Sequence, residues 1–246
     1  MDQFTRAWEF DRELQERGAA RVRRFARGAA LYTDSLPRVY DCNFVRLDEV
    51  DGLSGADIDA LADELQGELR HRKVVLPSAG GQAAEELAAR GWSVSRIATM
   101  EYAGPAERDG APPAAELVDP RAIRGARQAA LDRDRDLQRQ VAAYTERLAD
   151  ANDGRVFAAF ADGEVGAFCA LFARDGIAEI DEVTTLERHR KRGLGKAVVE
   201  AALRTSLAAG SDLTFLNADA DDWPRRWYER LGFREVGLRY EVYRAF

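Results

Sequence analysis

Residues 190–196, Arg-Lys-Arg-Gly-Leu-Gly-Lys, combine the residue types that hold a polyanion. Ahead of them, Ile180–Thr185 is rich in β-branched residues and reads as a strand. Behind them, Val199, Leu203 and Leu207, with a second row at Leu194, Val198 and Ala202, mark a helical stripe stopped by Gly210. The first turn of such a helix has backbone N–H groups without intrahelical partners, at the positive end of the peptide dipoles. Gly193 and Gly195 leave that backbone approachable, and Arg190, Lys191, Arg192 and Lys196 supply countercharge. The expected ligand is a diphosphate. The alternative is an ordinary basic helix start on a surface turn.

Two nucleotide motifs fail on residues. A Rossmann fingerprint needs a third glycine and a later acid, and a Walker loop needs Gly-Lys-Ser/Thr. Here Ala197 follows Lys196, and position 190 is Arg. What remains, Arg190-x-x-Gly193-x-Gly195, resembles the Q/R-x-x-G-x-G/A signature of the GCN5-related N-acetyltransferase (GNAT) superfamily. Trp227-Tyr228-Glu229-Arg230-Leu231-Gly232-Phe233 is similar to a second block of that family, at the expected distance downstream. The resemblance covers about 130 residues, a domain-sized piece.

The resemblance implies acetyl-CoA as co-substrate and a primary amine, on a small molecule or a protein, as direct attacker. It implies that the main chain of Val183, Thr184 and Thr185 pairs with the pantetheine arm like an added strand. It gives the phenol of Tyr228 the role of general acid; the rival reading is a core aromatic beside Trp227. By spacing, Glu179 corresponds to a catalytic glutamate of some relatives, while Glu182 is nearest the implied thioester position. Strand alternation puts Glu179 and Asp181 on one face and Glu182 on the other. Exposed carboxylates on a strand are also commonly just solvated. Relatives often carry a cofactor-contacting Asn seven residues before the tyrosine. Here Asp221 stands there, with Asn217 as a substitute contact. Asp219, Asp221 and Asp222 read either as an acidic rim or as caps for the helix opening at Trp223-Pro224.

The elements that must position these residues follow from periodicity. Residues 4–30 read as helical. Tyr40–Leu47 reads as a strand, Ser54 as the N-cap of a helix over 54–70, Lys73–Leu76 as a strand, Gln82–Arg90 as a helix and Ser93–Tyr102 as a strand. Residues 104–113, with Gly104, Pro105, Gly110, Pro112 and Pro113, read as a linker. Beyond it come strand Ala114–Val118, helices Pro120–Asp132 and Asp134–Ala151, and strands Arg155–Ala161, Glu164–Phe172 and Ile177–Thr185. Then follow the basic turn and its helix, strand Leu213–Asn217, helix Trp223–Leu231 and strand Arg234–Tyr243.

The order helix, strand, helix, Gly-aromatic, strand occurs twice, with Gly91-Trp92 echoing Gly232-Phe233 and Leu87 standing where Tyr228 does. The expectation is an α/β (α+β) protein of the GNAT fold: a mixed, mostly antiparallel sheet flanked by helices, in two tandem units. Residues 1–110 would be the degenerate unit and 114–246 the acetyl-CoA-binding one. Two rival functions stay open: a non-catalytic CoA-binding regulatory module, and a tandem acyltransferase resembling mycothiol synthase.

Composition narrows the classes. The 246 residues suffice for a sizeable core, and a net charge of −7 argues against nucleic-acid binding. Cys42 and Cys169 lack metal spacing, and with only His71 and His189 present no zinc site is expected. The amino terminus lacks the apolar run of a signal peptide, and no segment has the apolar length of a membrane helix. A cytoplasmic monomer or homodimer is expected, with no membrane partner.

Overall fold

A computed structural model describes residues 1–104, 114–131 and 133–246. The linker expected over 104–113 lies outside the described residues except for Gly104. The chain opens with α1 (Gln3–Gly18), β1 (Arg21–Phe25), β2 (Gly28–Tyr32) and β3 (Phe44–Leu47). It continues through α2 (Gly55–Gln66), β4 (His71–Leu76), α3 (Gly81–Ala89), β5 (Ser93–Tyr102) and β6 (Ala115–Val118). Next come α4 (Arg124–Ala130), α5 (Arg135–Ala151), β7 (Arg155–Ala161), β8 (Glu164–Arg174) and β9 (Ile177–Thr185). It closes with α6 (Leu194–Ala208), β10 (Leu213–Asp219), α7 (Trp223–Arg230) and β11 (Phe233–Ala245).

Two expectations are corrected. The helix expected over 4–30 ends at Gly18, and a β1–β2 hairpin follows with Arg21 opposite Tyr32. Strand β1 is Arg-Val-Arg-Arg-Phe, a mostly exposed, arginine-rich edge with no apolar alternation to announce it. At Gly28 a Cβ would strike the Arg46 carbonyl oxygen, so the glycine lets β2 lie on β3. The strand expected over Tyr40–Leu47 starts only at Phe44. Before it, buried Asn43 donates through Nδ2 to the carbonyls of Leu36 (2.8 Å) and Val39 (2.9 Å) and accepts from the Thr33 N–H (2.9 Å). Those bonds hold 33–43 as turns followed by a 3-10 helix at Tyr40–Cys42.

The compact units are discontinuous, unlike the sequence halves 1–110 and 114–246. One comprises Met1–Gly18, Met100–Leu216 and Arg226–Arg234; the other comprises Ala19–Thr99, Asn217–Arg225 and Glu235–Phe246. In the first, β6 to β9 form an antiparallel meander and β10 adds parallel to β9. Helices α1 and α5 cover one face, packing Phe10, Leu14 and Leu148 on Phe172, Leu213 and Phe215. Helix α6 packs on β8 and β9, with its buried residues centred on Leu194, Val198, Ala202 and Leu203; Leu207, expected in that stripe, is half exposed.

In the second unit, β1, β2 and β3 form an antiparallel meander and β4 adds parallel to β3. Helices α2 and α3 bury Ile58, Leu65 and Leu87 on Val45, Val74 and Leu76. Meander, helix, parallel strand, helix: the repeat seen in the sequence from residue 54 onward extends back to Arg21. The protein is thus a tandem of mixed α/β units. The last strand of the chain, β11, pairs antiparallel with β4 through Tyr240–Ala245, so it completes the amino-terminal repeat's sheet. Backbone pairing, not chain order, decides which unit owns it.

Candidate active site

Strand β9 carries the local feature that makes a site possible. Pairing with β8 matches Ala170 to Asp181 and Phe168 to Thr184, so Cys169 faces two residues, Glu182 and Val183. This is a β-bulge. Glu182 takes it up with φ 55°, a left-handed backbone rare for a side-chain-bearing residue. On the other edge, pairing with β10 ends at Glu179 opposite Phe215, so β9 beyond Glu179 leaves the β10 ladder. An extended ligand bearing amides could complete that edge along Val183, Thr184 and Thr185.

The bulge corrects the expected faces. Glu179 shares a face with its cross-strand partners Phe172 and Phe215, which pack under α1 and α5. The extra residue resets the alternation, and Glu182 reaches the same side of the sheet. There its carboxylate takes a bidentate grip from Arg127 of α4: Nε to Oε1 at 2.8 Å and Nη2 to Oε2 at 2.6 Å. Burial pushes the Glu182 carboxyl above its ordinary pKa, and the Arg127 guanidinium opposes that rise. Glu179 is buried. Asp181 is exposed, and its Oδ1 accepts the Glu182 N–H at 2.7 Å.

The basic turn follows β9 through Leu186, buried in the core. Arg190, Lys191, Arg192 and Gly193 are all exposed, and Lys191 (φ 63°) and Gly193 (φ 78°) supply left-handed backbone for the curl. Gly193 is the N-cap of α6 and provides no side-chain cap. The first helical bond runs from the Ala197 N–H to the Gly193 carbonyl at 3.0 Å. The N–H groups of Leu194, Gly195 and Lys196 therefore precede the ladder, as a diphosphate seat requires.

The two glycines have different reasons. Gly193 needs its backbone angle. At Gly195 a Cβ would stand 2.8 Å from Thr185 Oγ1, so that glycine lets α6 dock on β9; the Trp227 ring of α7 would be in ordinary contact at 3.6 Å. The basic residues divide too. Arg192 is held by Asp162 at 2.6 Å and Lys196 lies 3.8 Å from Glu200, while Arg190 and Lys191 form no ion pair among the described residues. Leu194 contributes only main chain, because its side chain is buried against Gly166.

Tyr228, on α7, is buried beside Trp227 (ring centroids 4.9 Å) and Phe233 (5.9 Å). Burial raises its phenol pKa above the ordinary value, and the negative charges available to Cys169 and Asp181 add to the rise. Both the acid reading and the core-aromatic reading describe this ring. Cys169 is a free, buried thiol, its pKa raised by burial, and its sulfur donates to the Val198 carbonyl at 3.4 Å.

Asn217 and Asp221 belong to the other compact unit. There Thr99 donates to Asn217 Oδ1 at 2.9 Å, and Asp221 lies 3.7 Å from Arg96. Asp219 accepts the Asp221 N–H and Asp222 the Trp223 N–H, which makes these acids caps of the turn into α7. That unit has its own counterpart of the uncapped helix. Helix α2 starts with a capping box between Ser54 and Asp57, and the Gly55 N–H donates to Glu86 Oε2 at 2.7 Å. A Cβ on Gly55 would collide with Glu86 and Leu87 of α3, whereas one on Gly195 would collide with Thr185 of β9 and only touch Trp227 of α7. In this unit, carboxylates of the chain itself sit at the helix start, where the N-cap of α6 is a glycine.

Three participants escaped the sequence. Arg127 sits among small residues in Arg-Gly-Ala-Arg-Gln-Ala-Ala, where nothing marks it as buried. Trp227 touches the glycine turn only through the packing of α7. The β7–β8 turn braces the basic loop: Glu164 holds Arg188 and lies 3.2 Å from buried His189, and Asp162 holds Arg192. The acids of Asp162-Gly163-Glu164 were the available signal.

Among described residues, no helix is long and apolar enough to cross a membrane. Residues 125–233 match the model of the acetyltransferase (GNAT) family. A search of curated proteins finds no match to the sequence. Among solved structures, a functionally unknown conserved protein from Staphylococcus epidermidis superposes with TM-score 0.71 at 15% identity, covering 92% of this chain and 94% of that one. A GCN5-related N-acetyltransferase from Kribbella flavida superposes with TM-score 0.64 at 21% identity, covering 96% and 94%. A tandem GNAT protein from the clavulanic acid biosynthesis pathway gives TM-score 0.58 at 15% identity, covering 89% and 79%. At these identities the likeness is one of fold.

Proposed function

We propose, from the premise that residues 125–233 are a GNAT domain, that the protein is an acetyl-CoA-dependent N-acetyltransferase acting on a primary amine. The observation that carries the reading is the uncapped start of α6 behind the exposed turn of residues 190–193. Leu194, Gly195 and Lys196 would bind the diphosphate through their amides, with Arg190 and Lys191 as the uncommitted countercharges. The β9 edge at Val183–Thr185 would align the pantetheine arm, which fixes the thioester next to the bulge.

The amine nitrogen attacks the thioester carbonyl carbon, and the carbon–sulfur bond breaks as the tetrahedral intermediate collapses. A main-chain N–H at the bulge would stabilise the oxyanion. Tyr228 gives its proton to the leaving sulfur, and a carboxylate on β9, Glu179 or Glu182, takes the proton from the amine. The reaction is soluble-phase chemistry between acetyl-CoA and the amine, with the protein acting as monomer or homodimer in the cytoplasm.

Because α2 is capped by Ser54, Asp57 and Glu86, titration calorimetry is expected to give one acetyl-CoA per chain. Two equal sites would mean that the amino-terminal repeat also binds. The test of function is thiol release from acetyl-CoA across a panel of primary amines, including polyamines, amino-sugars and lysine peptides. Amine-dependent release supports transfer. Binding without release under every amine would favour the non-catalytic module, for which Asp221 in its ion-pair contact with Arg96 is the supporting observation. Release confined to thiol-sugar amines would favour the mycothiol-synthase-like reading.

A further inference from the structure

Arg127 is 2% exposed, and every nitrogen of its guanidinium is engaged. Nε and Nη2 hold the Glu182 carboxylate, and Nη1 donates to the Pro120 carbonyl at 2.7 Å. One side chain thus ties three pieces of backbone: the turn entering α4, α4 itself, and the bulge in β9. Its Cζ also lies 6.0 Å over the ring of Phe168, which packs with Ile123 beside the start of α4. The partner it holds, Glu182, has the left-handed backbone that side-chain-bearing residues disfavour. Such a conformation persists when its surroundings over-determine it, and a planar, bidentate guanidinium does that.

We propose that Arg127 and Glu182 are a latch that fixes α4 against the β9 bulge, so that Glu182 positions the thioester-bearing strand and the acceptor-side helix rather than removing the amine proton. The inference rests on the transferase reading for its kinetic part, and on geometry alone for its structural part. A general base has to point a lone pair at the attacking amine. Both oxygens of Glu182 instead point at a buried cation. Proton removal then falls to Glu179 or to water. Arg127 and Glu182 are positioning residues, and the helix they hold is the one that would shape the amine pocket.

The test uses the full chain with Arg127→Ala, Arg127→Lys, Glu182→Gln and the Arg127→Ala/Glu182→Gln double variant. Amide hydrogen exchange is read over residues 120–131 and 179–185. Thiol release from acetyl-CoA is read with the best amine of the panel. A latch predicts that either single change speeds exchange in both segments by tenfold or more, and that the double variant goes no further. It predicts that Arg127→Ala and Glu182→Gln lower kcat to within threefold of each other. The KM for acetyl-CoA should stay within twofold of wild type, because the phosphate loop is untouched. Arg127→Lys, which keeps the charge and loses the fork, should recover part of kcat.

A base at Glu182 predicts a different pattern: Glu182→Gln loses a hundredfold or more while Arg127→Ala keeps most of its turnover. That pattern overturns the proposal, as does exchange that changes in one segment and not the other. If the wild type releases no thiol, the transferase reading falls while the exchange data still decide the latch. If Arg127→Ala does not fold, Arg127→Lys and Glu182→Gln carry the same comparison.

Discussion

Replacing Gly193 by valine is expected to abolish most of the rise in melting temperature that acetyl-CoA gives the wild-type protein. Position 193 has φ 78°, and a β-branched residue there is a steric outlier. To relieve that strain, of order 1–3 kcal/mol, the peptide at the start of α6 has to rotate. Rotation turns the Leu194 and Gly195 amides out of register with the bound diphosphate. A ligand at a hundred times its Kd stabilises the folded state by about 2.7 kcal/mol. In a chain of this length that is a rise of roughly 5–10 °C. A hundredfold loss of affinity at the same concentration would leave about 1 °C. The turn is exposed and contributes no side chain to the core through residue 193, so the unliganded variant should still unfold cooperatively. Differential scanning fluorimetry with acetyl-CoA and with free CoA reads both quantities. A Gly193→Val protein that keeps the wild-type rise would sink the diphosphate seat, and with it the proposed function.

What the sequence made legible divides along a physical line. Short-range signals sufficed wherever the determinant lay within a few residues. The helix-stop chemistry and apolar stripe gave α6. Ser54 gave the N-cap of α2, and the runs Arg155–Ala161, Glu164–Phe172 and Ile177–Thr185 gave the β7–β8–β9 meander. The turn of residues 190–196, the proposed diphosphate seat, was readable as a turn into a helix for the same reason, since its residues are consecutive. Long-range determinants were not legible. The bulge exists because β8 and β9 differ by one residue between two matched pairs, and neither strand alone records that mismatch. It is why Glu182 ends on the face of Glu179, against simple alternation. Arg127 is silent until α4 is laid against β9. The β1 strand hides in an arginine-rich edge, and the partnership of β11 with β4 depends on which sheet needs a strand.

The tandem arrangement follows the same logic. Each repeat has a glycine at the head of its first helix where a Cβ would collide, at Gly55 with Glu86 and Leu87 of α3 and at Gly195 with Thr185 Oγ1 of β9 at 2.8 Å. The side chain that the second helix brings near that glycine differs: the Trp227 ring, 3.6 Å from where a Cβ would stand, in one repeat, and Glu86 in the other. Under the proposed function, the aromatic edge leaves the α6 amides to an external anion. A carboxylate satisfies them internally, and the Gly55 N–H bond to Glu86 does so at 2.7 Å. In the amino-terminal repeat, one side chain of the facing helix, Glu86, occupies the position that the proposed function gives to the ligand in the other repeat.

Converting Tyr228 to phenylalanine should lower the rate of thiol release by about 10²- to 10⁴-fold while acetyl-CoA affinity stays within about twofold, the range for loss of one acid–base group. The argument turns on what the change removes. The ring remains, so its contacts with Trp227 and Phe233 survive and the fold should be little altered. Only the hydroxyl goes, and it matters when the sulfur departs as a thiolate. Burial holds the phenol protonated above its ordinary pKa, and charge on Asp181 or Cys169 would hold it further. A raised pKa sets the sign of the pH dependence. The protonated, acid-competent form persists through neutral pH and beyond about 10, the ordinary tyrosine value, and is lost only as pH climbs through the raised value. Wild-type kcat should therefore show no alkaline fall attributable to this group between about pH 7 and 10. The Phe variant should be slow across the whole range. A more acidic leaving thiol, in a thioester carrying an electron-withdrawing substituent on sulfur, needs less protonation and should recover rate in the variant more than in wild type. If Tyr228→Phe turns over at the wild-type rate, the ring is core packing and the sulfur takes its proton from water.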